Sequence, residues 1–145
     1  MVALKTKTRT ACAIAGLNSD RLNEATNAKT YHCAPATKPG TAHVFDLDDV
    51  VALKVYWELM QEGMTAREAG RNACELRAAM EKNPDAEKVV RVQLGGGHDV
   101  WVNWKQFDPD SEEIDELRTR NWCVFPLTKL RNVVASKIQE ATKVA

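Results

Sequence analysis

Two helix starts and a helix stop are written into one stretch, FDLDDVVALKVYWELMQEGMTAREA, residues 45–69, and they leave that part of the chain little choice of fold. Asp46 is placed as an N-cap, Asp49 falls at the third helical position, and Asp48 adds negative charge at the positive end of the helix dipole. Phe45 before the cap and Val50 at the fourth position are spaced for a hydrophobic staple. Val50, Leu53, Trp57 and Met60 recur at helical spacing as a stripe to be buried, leaving Lys54, Glu58 and Gln61 to solvent. Gly63 is expected to stop this helix by taking the left-handed conformation. Thr65 and Glu68 form a capping box for a second helix. That helix places Ala66, Ala69, Ala73, Leu76 and Met80 on one face and ends at Asn83-Pro84.

A chain of 145 residues suits one domain, or a small domain with an appendage, and is long enough for a core. Charged residues at 28% and apolar ones at 44% are ordinary for a globular protein. No apolar stretch approaches the roughly 20 residues of a membrane span, so no membrane partner is expected. The first twenty residues lack an apolar block of secretory length, and the expected location is the cytoplasm. Cys12, Cys33, Cys74 and Cys123 form no Cys-x-x-Cys pair, so the expectation is reduced, mostly buried thiols and no metal. The competing possibility is a metal shared by His32, Cys33 and His43, for which the usual ligand spacing is missing.

Zero net charge argues little for nucleic acid, but the distribution is uneven. Residues 1–43 carry six basic and two acidic side chains, a net of +4, and residues 44–85 carry five basic and nine acidic, a net of −4. The positive field belongs to the N-terminal segment, which hints at a nucleic-acid surface, although four charges also suit an ordinary solvated face.

Within that segment, TRTACAIAGLNSDRLNEATNA, residues 8–28, reads as a helix-turn-helix. Cys12, Gly16, Leu17 and Leu22 have its spacing, with glycine where the turn needs positive φ. Asn18 or Ser19 caps the second helix, and Leu22 and Ala25 face inward. Ser19, Arg21, Asn23, Glu24 and Asn27 are left on the outward face, where Asn and Arg suit base edges and phosphates; the alternative is a surface helix that meets only water. From Tyr31 to Val44, Pro35, Pro39 and Gly40 exclude a regular helix. The arms TYHCA and TAHVF around PATKPG suggest a two-stranded wing with Lys38 near its tip, or a plain connecting loop.

After Pro84 the pattern changes. EKVVRVQLGGGHDVWVNW, residues 87–104, alternates apolar and polar residues on both sides of Gly95-Gly96-Gly97 and reads as a β-hairpin. The glycines are too few for a phosphate-binding loop, and no Lys-Ser or Lys-Thr follows them. FDPDSEEIDELRTRN reads as a polar connector with a helical turn or two. A last helix from Pro126 to Thr142 carries Leu127, Leu130, Val134, Ile138 and Ala141 on one stripe. Trp101, Trp104 and Trp122 are core residues of a compact β element, or else the lining of a small apolar pocket.

These units resemble the winged helix-turn-helix of the MerR superfamily of bacterial transcription regulators, over roughly Thr8 to Met80. The register is carried by Phe45-Asp46, Asp49-Val50, Leu53, Tyr56, Leu59, Gly63-Met64-Thr65 and Glu68-Ala69. Where the family has Leu-Arg-Tyr-Tyr on its recognition helix, this chain has Leu22-Asn23-Glu24-Ala25, and the wing's Gly-Tyr-Arg is here Gly40-Thr41-Ala42. The family's antiparallel coiled coil is interrupted by Asn83-Pro84, which moves the expected dimer contact to the hairpin and the final helix.

The resulting expectation is an α+β chain: a mainly helical winged helix-turn-helix domain over residues 1–84, then a small β-hairpin plus C-terminal helix over 85–145 that serves a dimer or an effector. Its function would be sequence-specific recognition of double-stranded DNA by a homodimer on the bacterial nucleoid. Arg21, Asn23 and Asn27 would meet base edges. Lys29, Lys38 and His43 would meet phosphate and sugar, with Arg9, Ser19 and Thr41 supporting. Two alternatives stand beside it: an excisionase-like factor that mainly bends DNA, and a ligand or protein sensor working through the C-terminal half, with no effector identified. No cofactor is expected, and no nucleophile–base constellation of an enzyme is legible.

Overall fold

The computed structural model describes residues 4–35, 44–94, 98–110 and 119–144. The chain is α+β and divides into two compact units, Met1–Arg77 with Leu130–Ala145, and Ala78–Lys129.

In the first unit, β1 (Lys5–Lys7) pairs antiparallel with β2 (Val44–Asp46), placing Thr6 opposite Phe45. α1 (Thr8–Ala15) and α2 (Ser19–Asn27) form the helix-turn-helix. Gly16 turns the chain at φ 95, and the Leu17 amide reaches back to the Cys12 carbonyl at 2.9 Å, closing the helix end as a Schellman motif does. Asn18, rather than Ser19, is the cap: its side-chain oxygen accepts from the Arg21 amide at 2.8 Å. Leu22 and Ala25 are buried with Ala11, Cys12, Ala15 and Leu17.

α3 (Leu47–Gln61) begins as its sequence dictates. The Asp49 amide donates to Asp46 Oδ1 at 2.8 Å, and the Asp46 amide donates to Asp49 Oδ2 at 3.0 Å. Phe45 and Val50 are both buried. The buried surface, however, is wider than the expected stripe. Val50 to Leu53, Val55, Tyr56 and Leu59 are buried, while Trp57 and Met60 are only half-buried, because α1 and β2 both pack on this helix. Gly63, at φ 107, ends it, and the Met64 amide bonds the Leu59 carbonyl at 3.1 Å. The Glu68 amide donates to Thr65 Oγ1 at 3.2 Å at the start of α4 (Ala66–Lys82). Ala69, Ala73, Leu76 and Met80 are buried as expected; Ala66, in the first turn, is exposed.

The wing's arms do not pair with each other. Thr30 to Ala34 form no strand, and β2 takes Lys5–Lys7 as its partner instead. Cys33 is covalently bonded to Cys74 of α4, with Cα atoms 5.4 Å apart, so the expected reduced thiols are corrected at this pair, and Cys33 is not available for the metal considered with His32 and His43. Lys38, Thr41 and His43 lie outside the described residues.

The second unit holds a three-stranded antiparallel sheet of order β4-β3-β5: β3 (Lys88–Leu94), β4 (His98–Asn103) and β5 (Thr119–Pro126). The hairpin strands pair as expected, with Arg91 opposite Trp101; the glycines between them lie outside the described residues. β5 was not anticipated. It falls where a polar connector and a helix start were expected, and it makes β3 the central strand, with Val89, Val90, Arg91 and Val92 all buried. Trp104 and Trp122 are not core residues, being 43% and 46% exposed. They flank Phe107 at ring-centroid distances of 6.2 and 5.5 Å.

α5 (Leu127–Val144) buries Leu127, Val134 and Ile138, with Leu130 and Ala141 half-buried. Among the described residues no helix is long and apolar enough to cross a membrane.

Candidate nucleic-acid interface

The scaffold around α2 is held by charge pairs that the helix-cap chemistry alone does not reveal. Arg77 Nε lies 3.0 Å from Asp49 Oδ1, and its Nη2 lies 3.3 Å from Asp46 Oδ2. Arg131 of α5 grips Asp48 through both oxygens at 2.9 and 3.2 Å, the two-pronged geometry a guanidinium favours. Burial raises the Asp49 carboxyl above its usual range, against the pull of the Asp46 amide and of Arg77. Burial would lower Arg77, but the hydrogen bond with Asp49 and the charges of Asp46, Asp49 and Asp48 outweigh it and hold the guanidinium above its ordinary value. The acidic run that starts α3 is thus used twice, for the helix end and for two distant arginines.

Trp57 sits over the turn. A Cβ added at Gly16 would lie 2.9 Å from the indole Nε1, and the Arg21 guanidinium stands 5.6 Å from the centroid of the same ring, within cation–π range. Trp57 therefore holds Arg21 at the side of α2. Ser19, Asn23 and Asn27, four residues apart, share another side. Arg21 is about 160° around the axis from Asn23, since each residue turns a helix by about 100°. Asp20 and Glu24 lie between them on the outermost face, all exposed. Asn23 and Asn27 line a cleft of about 280 Å³ together with Thr8, Leu22, Thr26, Ala34 and Phe45.

Beyond α2 the chain makes a tight exit. Lys29 takes a left-handed φ of 60, and the amides of Thr30 and Tyr31 both reach back to the Ala25 carbonyl, at 2.9 and 3.2 Å. Tyr31 is 1% exposed and packs on Tyr56 with ring centroids 4.8 Å apart. Burial raises the Tyr56 phenol, opposed by a hydrogen bond with Thr30 and by the charge of Arg21. Thr30 then passes so close to α4 that a side chain at Gly70 would meet its carbonyl.

Ser19, Arg21, Asn23, Asn27 and Lys29 are thus presented on one short helix and its exit. Arg9 is placed elsewhere, on α1 in an open groove shared with Thr10, Ala13, Ile14, Lys137, Glu140 and Ala141. Besides those arginine pairs, Trp57 as the support of Arg21 and the Cys33–Cys74 bond were missed in the sequence. Nothing in the spacing marked Trp57, which falls between Val50 and Leu53 around the helix axis, on the expected apolar stripe. Among the described residues no group of three or more His, Cys, Asp or Glu is placed to hold a metal ion.

A scan against protein-family models finds no match to this chain, and a comparison with curated proteins finds none either.

Proposed function

We propose that this chain is a DNA-binding transcription regulator of the MerR-like kind, acting as a homodimer on the bacterial nucleoid in the cytoplasm. The observation that carries it is the outward surface of α2. Asn23 and Asn27 are exposed one turn apart and line the same cleft, and their amides have the paired donor and acceptor that bidentate recognition of base edges uses. Arg21, braced by Trp57 on the shoulder of the helix, suits a phosphate at the groove edge, and Lys29 at the exit suits another. Asp20 and Glu24 offset those two cations, so affinity is expected to be modest and to depend on the remaining basic residues of the N-terminal segment. The reading involves no reaction and no cofactor.

The test is duplex selection followed by retardation at several salt concentrations. Binding should weaken steeply with salt, because each phosphate contact releases counterions. Asn23→Ala and Asn27→Ala should each lose about 1–3 kcal/mol on a selected site and little on random DNA. Arg21→Ala should weaken both alike. No retardation of any duplex at low ionic strength overturns the reading.

A second reading draws on the second unit. Val100 and Trp122 of the sheet and Trp104 in the turn just after β4 are exposed, and Lys88 lies 5.7 Å from the Trp104 ring centroid. Exposed aromatics of this kind favour contact with a protein or a small ligand. Capture experiments with the full chain, repeated on Trp104→Ser and Trp122→Ser, separate this sensor role from DNA binding.

A further inference from the structure

We propose that the Cys33–Cys74 disulfide is a redox latch: oxidised, it pins the exit of α2 to α4, and reduction by a cellular dithiol releases that exit and weakens the grip of α2 on duplex DNA. The effect on DNA rests on the DNA-binding reading; the latch itself does not.

Three anchors hold the exit. The Thr30 carbonyl lies against Gly70, Tyr31 is buried on Tyr56, and Cys33 is bonded to Cys74. Gly70 and Cys74 are four residues apart and so occupy successive turns of one face of α4, which lays Thr30–Cys33 along that face. The first two anchors are packing. The third is covalent, spans 41 residues of sequence, and is the only one that chemistry can undo without altering the sequence. Cys33 also lies within TYHCA, the first arm of the expected wing, and Asn23 and Asn27 share their cleft with Ala34 next to it.

The bond is arranged for exchange. Cys33 is half-buried, whereas Cys74 is 4% exposed, so an incoming thiolate attacks Cys33 Sγ. The Cys33–Cys74 bond breaks and Cys74 leaves as a thiolate, within reach of the Cys33 amide that lies 3.2 Å from its sulfur and donates to it. The second thiol of the same dithiol then attacks its own sulfur in the mixed disulfide and expels Cys33. The reagent closes to a cyclic disulfide, and its two protons end on the two cysteines. Cys12, 1% exposed with its thiol pushed up to about 11 by burial, takes no part. In a reducing cytoplasm such bonds are as a rule transient or redox-sensing rather than permanent staples.

The test uses the full chain, oxidised or treated with dithiothreitol, beside the variant Cys33→Ser/Cys74→Ser, with circular dichroism to establish that each is folded. Hydrogen exchange is read at the Thr30, Tyr31 and Cys33 amides, and retardation is read on a selected duplex. Reduction should speed exchange at those amides about tenfold, leave the α3 amides unchanged, and weaken duplex binding by about tenfold, the loss expected when the competent exit is a minor population. The double-serine variant should match the reduced chain with or without dithiothreitol. Unchanged amide exchange overturns the proposal, as does equal duplex affinity in the two states, or global unfolding on reduction. Loss of protection with no duplex bound by either form leaves the latch standing and removes the DNA-binding reading instead.

Discussion

Gly70 of α4 meets Thr30 backbone to backbone, so that a Cβ at position 70 would run into the Thr30 carbonyl oxygen. Within a helix, replacing glycine by alanine ordinarily gains about 0.5–1 kcal/mol. Here the sign should reverse, because overpacking against a rigid backbone costs about 1–3 kcal/mol. Gly70→Ala is expected to lower the urea midpoint with an unchanged slope; a raised midpoint would show that the approach is not that close.

The ion pairs divide by burial. Arg77 and Asp49 are 19% and 14% exposed, whereas Glu58 of the Lys54–Glu58 pair, at 3.1 Å, is 48% exposed. Arg77→Met leaves the largely buried Asp49 without its guanidinium and should cost about 2–4 kcal/mol, with little of it from Asp46, whose side chain is 46% exposed. Lys54→Met should stay within about 0.5 kcal/mol. Denaturant unfolding of both variants decides, and comparable losses would count against the difference.

Lys29 holds a left-handed φ of 60, which costs a residue with a side chain about 1–2 kcal/mol relative to glycine. Lys29→Gly should therefore raise thermal stability, by about 1 kcal/mol. If Lys29 meets a phosphate, the same change should flatten the salt dependence of duplex binding by about one unit of slope. Stability and binding moving in the same direction would contradict that role.

Repulsion from the outermost face of α2 gives a change of the opposite kind. Glu24 is exposed beside Asn23, and Glu24→Gln should tighten binding to random DNA several-fold at low salt while the gain fades as salt is raised. Fluorescence anisotropy across a salt series measures it, and no gain at low salt would place Glu24 away from the phosphates.

The thiols differ sharply in environment. Cys12 rises from an ordinary value of 9.0 to about 11 on burial. A raised folded value means that its contribution is whole below pH 9 and is lost as the pH climbs through 11. The stability difference between wild type and Cys12→Ala should therefore shrink by up to about 3 kcal/mol over that window. Iodoacetamide at pH 8 should modify the exposed Cys123 of the native chain, reach Cys33 and Cys74 only after reduction, and spare Cys12 until the chain is unfolded. Mass spectrometry of tryptic peptides reads each step.

Local chemistry was legible in the sequence because it acts over three or four residues: the Asp46 cap with Asp49 three positions on, and the stops at Gly16 and Gly63, form where the residue types demand, while the cap of α2 was narrowed only to Asn18 or Ser19. Long-range partners were not. Arg77 and Arg131 lie 28 and 83 residues from the acids they hold, and nothing in the spacing announces either. Cys33 and Cys74 gave no signal for the same reason. The three-residue strands Lys5–Lys7 and Val44–Asp46 are too short for alternation to register. The third strand of the sheet left no trace of its own: Val89 and Val90, consecutive and both buried, report that the two faces of β3 are covered, not how many strands flank it. Of the expected interface, the side chains of α2 were readable from their polarity, but the brace behind Arg21 depends on packing between α2 and α3.

Asp49 accepts the Asp46 amide on one oxygen and the Arg77 guanidinium on the other. Asparagine would keep one acceptor and turn an amino group toward the arginine; glutamate would keep the charge and overshoot the helix start by a methylene. Either substitution disturbs one of the two partners, so the position has little latitude. The outward residues of α2, Asp20, Asn23, Glu24 and Asn27, are exposed, and substitution there leaves that frame standing.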